Sequence, residues 1–269
     1  MNTILISSIV LASIGILAAL LLYFVSQKFK VYEDPKIDEV VLLLPGANCG
    51  GCGFAGCRNF AENVVKNKGL DGFSCPPGGS SVNSAISQLF GGVVQEEIPR
   101  KTIIRCNGDC ENAPAKISYD SIASCAFFHN LEAGESGCAF GCLGCGDCVS
   151  ACQFGAIKID PQTKLPIIND KLCVFCKACV KACPRSIIDI VPIHDQGVVY
   201  VACMNKDKGG EAKKNCSVAC IGCRKCEKTC EFSAVAVDNN LALINGTRCT
   251  ACMKCVEGCP TKAIHAMAQ

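Results

Sequence analysis

Sixteen of this chain's 26 cysteines fall into four runs with one spacing, C-x2-C-x2-C-x3-C, and that spacing is the signature of thiolates wrapped around iron-sulfur cubes. The runs are Cys142, Cys145, Cys148, Cys152; Cys173, Cys176, Cys179, Cys183; Cys220, Cys223, Cys226, Cys230; and Cys249, Cys252, Cys255, Cys259. In the two-cluster arrangement the first three thiolates of a run hold one cube and the fourth crosses to the next, so runs work in pairs. The expected sets are Cys142/Cys145/Cys148 with Cys183, Cys173/Cys176/Cys179 with Cys152, Cys220/Cys223/Cys226 with Cys259, and Cys249/Cys252/Cys255 with Cys230. Structural zinc also takes four thiolates, but usually from two Cys-x2-4-Cys pairs across a spacer. A disulfide framework needs an oxidising compartment, and its spacing need not repeat. Pro184 and Pro260 follow the last cysteines of their runs and stiffen the turn; Gln153 and Glu231 stand there in the other two.

A different site precedes the runs: Cys49, Cys52, Cys57 and, further on, Cys75. Gly51-x-Gly53-x-x-Gly56 formally matches a dinucleotide fingerprint, yet Cys52 lies inside it and no βαβ unit follows. The glycines read better as close backbone approach to a fifth cluster, with zinc as the alternative occupant. Six cysteines remain. Thr102 to Cys106 is echoed by Tyr200 to Cys203, and Cys138-x3-Cys142 by Cys216-x3-Cys220, as though one larger unit were duplicated. Only the first copy adds Cys110 and Cys125, which makes Cys106, Cys110, Cys125 and Cys138 the candidate ligands of a sixth cluster. Cys203 and Cys216 read as buried structural thiols.

Several elements must position these groups. From Ile4 to Val25 there is no charged side chain, and at about 1.5 Å per residue the stretch can cross a hydrocarbon core of about 30 Å. A cleaved signal peptide is the competitor, but Met1-Asn2-Thr3 carries no basic residue. Lys28 and Lys30 follow the span and place the body in the cytoplasm. Asp38 is expected to cap a short helix through Leu44, with a second helix from Phe54 to Lys66. Strands are expected at Ile157 to Ile159, Pro166 to Ile168, Ala234 to Val237 and Leu241 to Ile244. The fold class is α+β: an N-terminal transmembrane helix, a small mainly helical four-cysteine cluster domain, then two two-cluster ferredoxin-like modules. The divisions fall at 1–30, 31–95, 96–200 and 201–269. Such modules have little apolar core, so metal supplies much of the folding energy.

The span, the segment Leu44-Pro45-Gly46-Ala47-Asn48-Cys49-Gly50-Gly51-Cys52-Gly53 with Cys57 and Cys75, and Gly141-Cys142-Leu143-Gly144 leading into a ferredoxin pair together resemble the B subunit of the Rnf complex. The resemblance covers essentially the whole chain. It implies membership of a membrane complex that passes electrons between reduced ferredoxin and NAD and couples this to Na⁺ or H⁺ transport. The B subunit would receive electrons from soluble ferredoxin and relay them to membrane partners, with flavin and NAD sites on other subunits. The second ferredoxin pair, after about residue 200, departs from shorter relatives. At least five [4Fe-4S] clusters are expected, and six with the optional site. The competing function is a membrane-anchored electron donor to another reductase without ion coupling. The net charge of +2 gives no argument for nucleic acid, and His129, His194 and His265 form no catalytic constellation, so the chain alone is not expected to be an enzyme.

Overall fold

A computed structural model of the chain describes residues 2–28, 34–70, 72–92, 99–118, 120, 124–131, 134–193 and 196–267; Lys30 and His194 lie outside them. Helix α1 (Asn2–Lys28) is continuous. The most apolar 18-residue window within Leu5–Lys28 has a mean hydropathy of 2.6 and nothing packed over it. Apolar side chains such as Leu11, Leu17, Leu21 and Phe24 are all exposed, which leaves lipid as their natural surrounding.

Three helices build the next unit. Helix α2 (Pro35–Leu43) starts earlier than expected, because Asp34 caps it by accepting from the Lys36 N–H at 2.9 Å and Pro35 suits the first helical position. Asp38 instead reaches across to Arg58 at 3.2 Å on helix α3 (Cys57–Asn67). That helix begins after Phe54, whose ring stacks edge-on against Phe60 and Phe73 with centroids 5.6 and 5.2 Å away. Helix α4 (Gly79–Leu89) closes the core, where Val40, Phe60, Val64 and Ile86 are fully buried.

The remainder is one architecture built twice. The first module contains β1 (Arg100–Ile104), α5 (Cys125–Asn130), α6 (Asp147–Ser150), β2 (Ile157–Ile159), β3 (Pro166–Ile168), α7 (Ala178–Ala182) and β4 (Ile188–Pro192). The second contains β5 (Val198–Val201), α8 (Gly209–Asn215), α9 (Lys225–Thr229), β6 (Val235–Asp238), β7 (Leu241–Ile244), α10 (Lys254–Glu257) and β8 (Ile264–Met267). In the first, β1 pairs antiparallel with β4, Thr102 opposite Ile190, and β2 with β3. In the second, β5 pairs with β8, Tyr200 opposite His265, and β6 with β7. The second module therefore takes in all of Val198–Val201, of which a division between residues 200 and 201 leaves Val198, Val199 and Tyr200 in the first. Those residues stand to Cys203 as Arg100–Ile104 stands to Cys106, and each strand ends two residues before its cysteine. The two inner hairpins and the short helices exist to hold the cysteine loops.

Candidate metal centres

Each run folds its backbone the same way. The second residue after the first cysteine is left-handed in all four: Gly144 (φ 70°), Phe175 (55°), Gly222 (62°) and Ala251 (53°). So is the residue after the second cysteine: Gly146 (88°), Lys177 (63°), Arg224 (58°) and Met253 (64°). Non-glycine residues adopt that region at about 1–2 kcal/mol each, and the repetition shows that the loop path takes precedence over residue preference. The path turns N–H groups toward sulfur: Ala251 donates to Cys249 Sγ at 3.4 Å, while Ala156, Ala234 and Ala263 donate to Cys152, Cys230 and Cys259 at 3.3, 3.4 and 3.3 Å. N–H donors of this kind tune iron-sulfur thiolates. Behind each run, Ala156, Ile187, Ala234 and Ala263 are buried and wall the loops from water.

The thiols gather around cavities. One, with about 400 Å³ of empty space, is lined by Cys152, Cys173, Cys176 and Cys179 together with Phe154, Ile157, Ile168 and Ile190. A second, of about 380 Å³, is lined by Cys142, Cys148 and Cys183, and also by Cys125. Both mix thiols from two runs, as crossing fourth ligands require. In the second module, burial pushes the Cys226 thiol up to about 11, with Cys220, Cys223 and Cys259 adding to the rise. Burial likewise pushes Cys255 up to about 11, with Cys249, Cys252 and Cys230 adding to the rise. Each neighbourhood draws three thiols from one run and one from the other. Cys145 Sγ donates to the Leu143 carbonyl at 3.3 Å, and its thiol is pushed up to about 12 by burial with Cys125 nearby adding to the rise.

Crowded thiols with raised pKa values are poor isolated anions, and a cationic iron core is what would let them ionise together. Among the described residues no three Cys, His, Asp or Glu side chains converge closely enough for a single metal ion. Tetrahedral zinc at about 2.3 Å from each sulfur would need the sulfurs within about 3.8 Å of one another, whereas an iron-sulfur cube holds its thiolates further apart. Arg185 supports that fit. Its Nη1 donates to the carbonyls of Cys138 and Gly141 at 3.1 and 2.8 Å, it lines the Cys142 cavity, and its buried Nε has no protein partner.

The N-terminal quartet sits in the loops around α3 and at that helix's first residue, Cys57. Asn48 accepts from the Cys57 N–H at 2.8 Å. The buried Asn83 grips Cys75 at both ends, accepting from its N–H at 2.8 Å and donating to its carbonyl at 3.4 Å. Burial pushes the Cys75 thiol up, and Cys52, Cys57 and Cys49 are the thiols that add to it. Gly51 meets the first ferredoxin module directly: a Cβ there would lie 2.9 Å from Cys176 Cα. Close approach is therefore what the glycine is for.

The structure does not gather Cys106, Cys110, Cys125 and Cys138. Cys110 is exposed. Cys125 belongs to the Cys142 cavity, where Asp147 anchors its helix start by accepting from the N–H groups of Cys125 and Ala126. Cys106 and Cys138 instead line a third cavity with Cys203 and Cys216. Treating the last two as plain buried thiols misses this grouping, although the duplicated spacing marks Cys203 and Cys216 as the counterparts of Cys106 and Cys138.

Comparison with known proteins matches this layout. An Fe-S cluster family model matches residues 44–77, and models of the 4Fe-4S dicluster domain match residues 141–208 and 219–264. The B subunit of the ion-translocating oxidoreductase complex of Methanosarcina acetivorans is 42% identical over 98% of this chain and 99% of its own length. The B subunit of the Na(+)-translocating ferredoxin:NAD(+) oxidoreductase complex of Acetobacterium woodii is 38% identical over 98% of this chain and 78% of its own length. Its counterpart in the proton-translocating ferredoxin:NAD(+) oxidoreductase complex of Clostridium ljungdahlii is 39% identical over 99% and 94%. The cysteine loops are thus [4Fe-4S] sites of the dicluster kind. With identity at this level along nearly the full length, the chain belongs to the family of B subunits of ion-translocating oxidoreductase complexes.

Proposed function

We propose that this chain relays electrons from a reduced soluble ferredoxin to membrane partners in an Na⁺- or H⁺-translocating ferredoxin:NAD⁺ oxidoreductase, and that flavin and NAD are handled by other subunits. The observation that carries this reading is continuity: the N-terminal quartet abuts Cys176 through Gly51, and that run's cavity is completed by Cys152 from the run before it. Each [4Fe-4S] cluster takes up and gives back one electron when bound. The chain's own residues hold the thiolates, aim N–H groups at sulfur and exclude water through the buried tails. The ligands of five clusters are the four crossed sets and Cys49, Cys52, Cys57 and Cys75. Lys28 at the end of α1 favours a cytoplasmic body, where a reducing environment suits free thiolates. Co-purification with flavin-bearing membrane subunits tests the reading; recovery with an unrelated reductase and no flavin-bearing membrane partner would contradict it.

Electrons enter, in this reading, at the second module. Cys223 and Cys252 are the exposed cysteines of the four runs. Around Cys223, Lys206, Lys208, Lys213, Lys214, Arg224, Lys225 and Lys228 are all exposed, against Asp207, Glu211 and Glu227, an excess of four positive charges. Arg224 is engaged with Glu227 at 3.3 Å, so the lysines supply the outward field. An acidic ferredoxin would be steered to such a rim. Lys213→Glu, Lys214→Glu and Lys225→Glu together are expected to slow electron uptake at low salt by a factor of about 10 or more, with iron content unchanged and the deficit shrinking as salt rises. An unchanged low-salt rate would move docking elsewhere, to the first module around Lys171, Lys177 and Lys181.

A further inference from the structure

We infer that Cys106, Cys138, Cys203 and Cys216 form a sixth [4Fe-4S] site, built half from each ferredoxin module and joining the two. It goes beyond the five-cluster relay and rests only on the chain being loaded with [4Fe-4S] clusters, not on which partner supplies the electrons.

The four thiols line a cavity with about 380 Å³ of empty space, matching the about 380 and 400 Å³ at the two first-module sites. Cys138, Cys203 and Cys216 are each under a tenth exposed. All are free thiols, so disulfides do not account for them. Gly108 and Gly141 bring backbone against the sulfurs: a Cβ on Gly108 would lie 3.2 Å from Cys216 Sγ, and one on Gly141 3.5 Å from Cys138 Sγ.

Hydrogen bonding to these sulfurs repeats across the duplication. Cys106 Sγ accepts from the Cys142 N–H at 3.3 Å, and its counterpart Cys203 Sγ accepts from the Cys220 N–H at 3.3 Å. In the second copy the N–H two residues on also donates back to sulfur, from Asn205 to Cys203 Sγ at 3.4 Å. That is the arrangement Ala251 makes with Cys249 inside a dicluster match. Asn205, which is 1% exposed, donates from Nδ2 to Cys138 Sγ at 3.5 Å. Structural thiols in an apolar core have no need of so many donors; thiolates on iron do.

Position supplies the role. Cys142 lines both this cavity and the first-run cavity, and Cys220 opens the third run while its N–H holds Cys203. One electron arrives from one neighbouring cluster and one leaves to the other, each transfer oxidising the donor as it reduces the acceptor, with no bond or proton changed. The electron originates in the low-potential iron-sulfur protein that loads the chain.

The test is iron and acid-labile sulfide per chain in the full-length protein, purified anaerobically. Cys203→Ser with Cys216→Ser is expected to lose four irons and four sulfides relative to the unaltered chain, while Cys110→Ser loses none. An unchanged count in the double variant, or a loss of four from Cys110→Ser, overturns the proposal. Should the double variant lose all its iron through unfolding, Cys216→Ala, whose side chain cannot ligate iron, decides: a three-iron EPR signal in the oxidised protein, absent from the unaltered chain, supports the site, and its absence overturns it. These readouts do not involve ferredoxin or NAD, so the relay reading and this site can fail separately.

Discussion

Chelating the iron from the intact chain is expected to abolish the cooperative unfolding of residues 99–267 and to leave mainly the helices of the N-terminal third. The reason lies in how little else holds the two modules. Their sheets are two-stranded, with strands of three to five residues, and an isolated two-stranded hairpin is marginal in water. Among the described residues the first module's buried cluster is Cys148, Ile157, Ile187 and Ile188, and in the second Cys203, Cys216, Cys220 and Cys255 share the buried cluster with short strand residues such as Val199, Val201, Leu241 and Ile264. Binding of a structural metal contributes on the order of 10–16 kcal/mol in small domains, whereas whole domains are stable by about 5–15 kcal/mol. Removal therefore exceeds the margin. Raised thiol pKa values set the pH dependence of any residual metal-free fold. Thiols such as Cys203 and Cys255, pushed to about 11 by burial, contribute stability below their ordinary range near 9 and lose it as pH rises from there through 11. Circular dichroism and amide exchange before and after chelation check this, and native-like protection of β1–β8 without iron would refute it. The N-terminal unit behaves differently because Val40, Phe60, Val64 and Ile86 pack three helices together in a core where Cys75 is one buried member among mostly apolar side chains.

Deleting residues 2–28 is expected to move the chain from the membrane fraction to the soluble fraction with its iron content intact. Fourteen Leu, Ile, Val and Phe residues lie between Ile4 and Val25. At about 0.3–0.6 kcal/mol each on an insertion scale they contribute about 4–8 kcal/mol to residence in the bilayer. The helix contributes nothing buried to the body, so the clusters should not notice its loss. Electron delivery to membrane partners should fall with the tether, since the helix raises the local concentration of the body beside them. Fractionation and iron analysis of the truncated chain measure both effects. Retention in the membrane fraction would mean that other contacts anchor the body, and loss of iron would mean that the helix supports the cluster loops.

The cysteine loops are the most legible part of this protein because their constraint is local. Four thiolates on one small body dictate spacing and turn conformation together, and the short strands behind them follow from β-branched residues such as Ile157, Ile159 and Ile244. Element ends are less visible. Asp34-Pro35 is a stronger helix start than Asp38, because a capping carboxylate followed by proline satisfies and pre-shapes the first turn at once. The pairing of Val198–Val201 with Ile264–Met267 joins segments more than sixty residues apart, which no local pattern announces. The grouping of Cys106, Cys138, Cys203 and Cys216 is hidden for the same reason, since each module supplies half of it. Its trace is present in the equivalent spacings, but Cys110 and Cys125 favour a set within one copy. Folding places Cys125 beside Cys142 and leaves Cys110 in solvent.

If electrons reach the membrane partners through this chain, rapid anaerobic mixing of reduced soluble ferredoxin with the oxidised complex measures it directly. The visible absorption of the iron-sulfur clusters and the appearance of NADH are followed together, with the charge-reversed lysine variant run alongside. The relay predicts that the clusters of this chain bleach before NADH appears, and that the variant slows both at low salt. NADH forming at its normal rate while these clusters remain oxidised would contradict it.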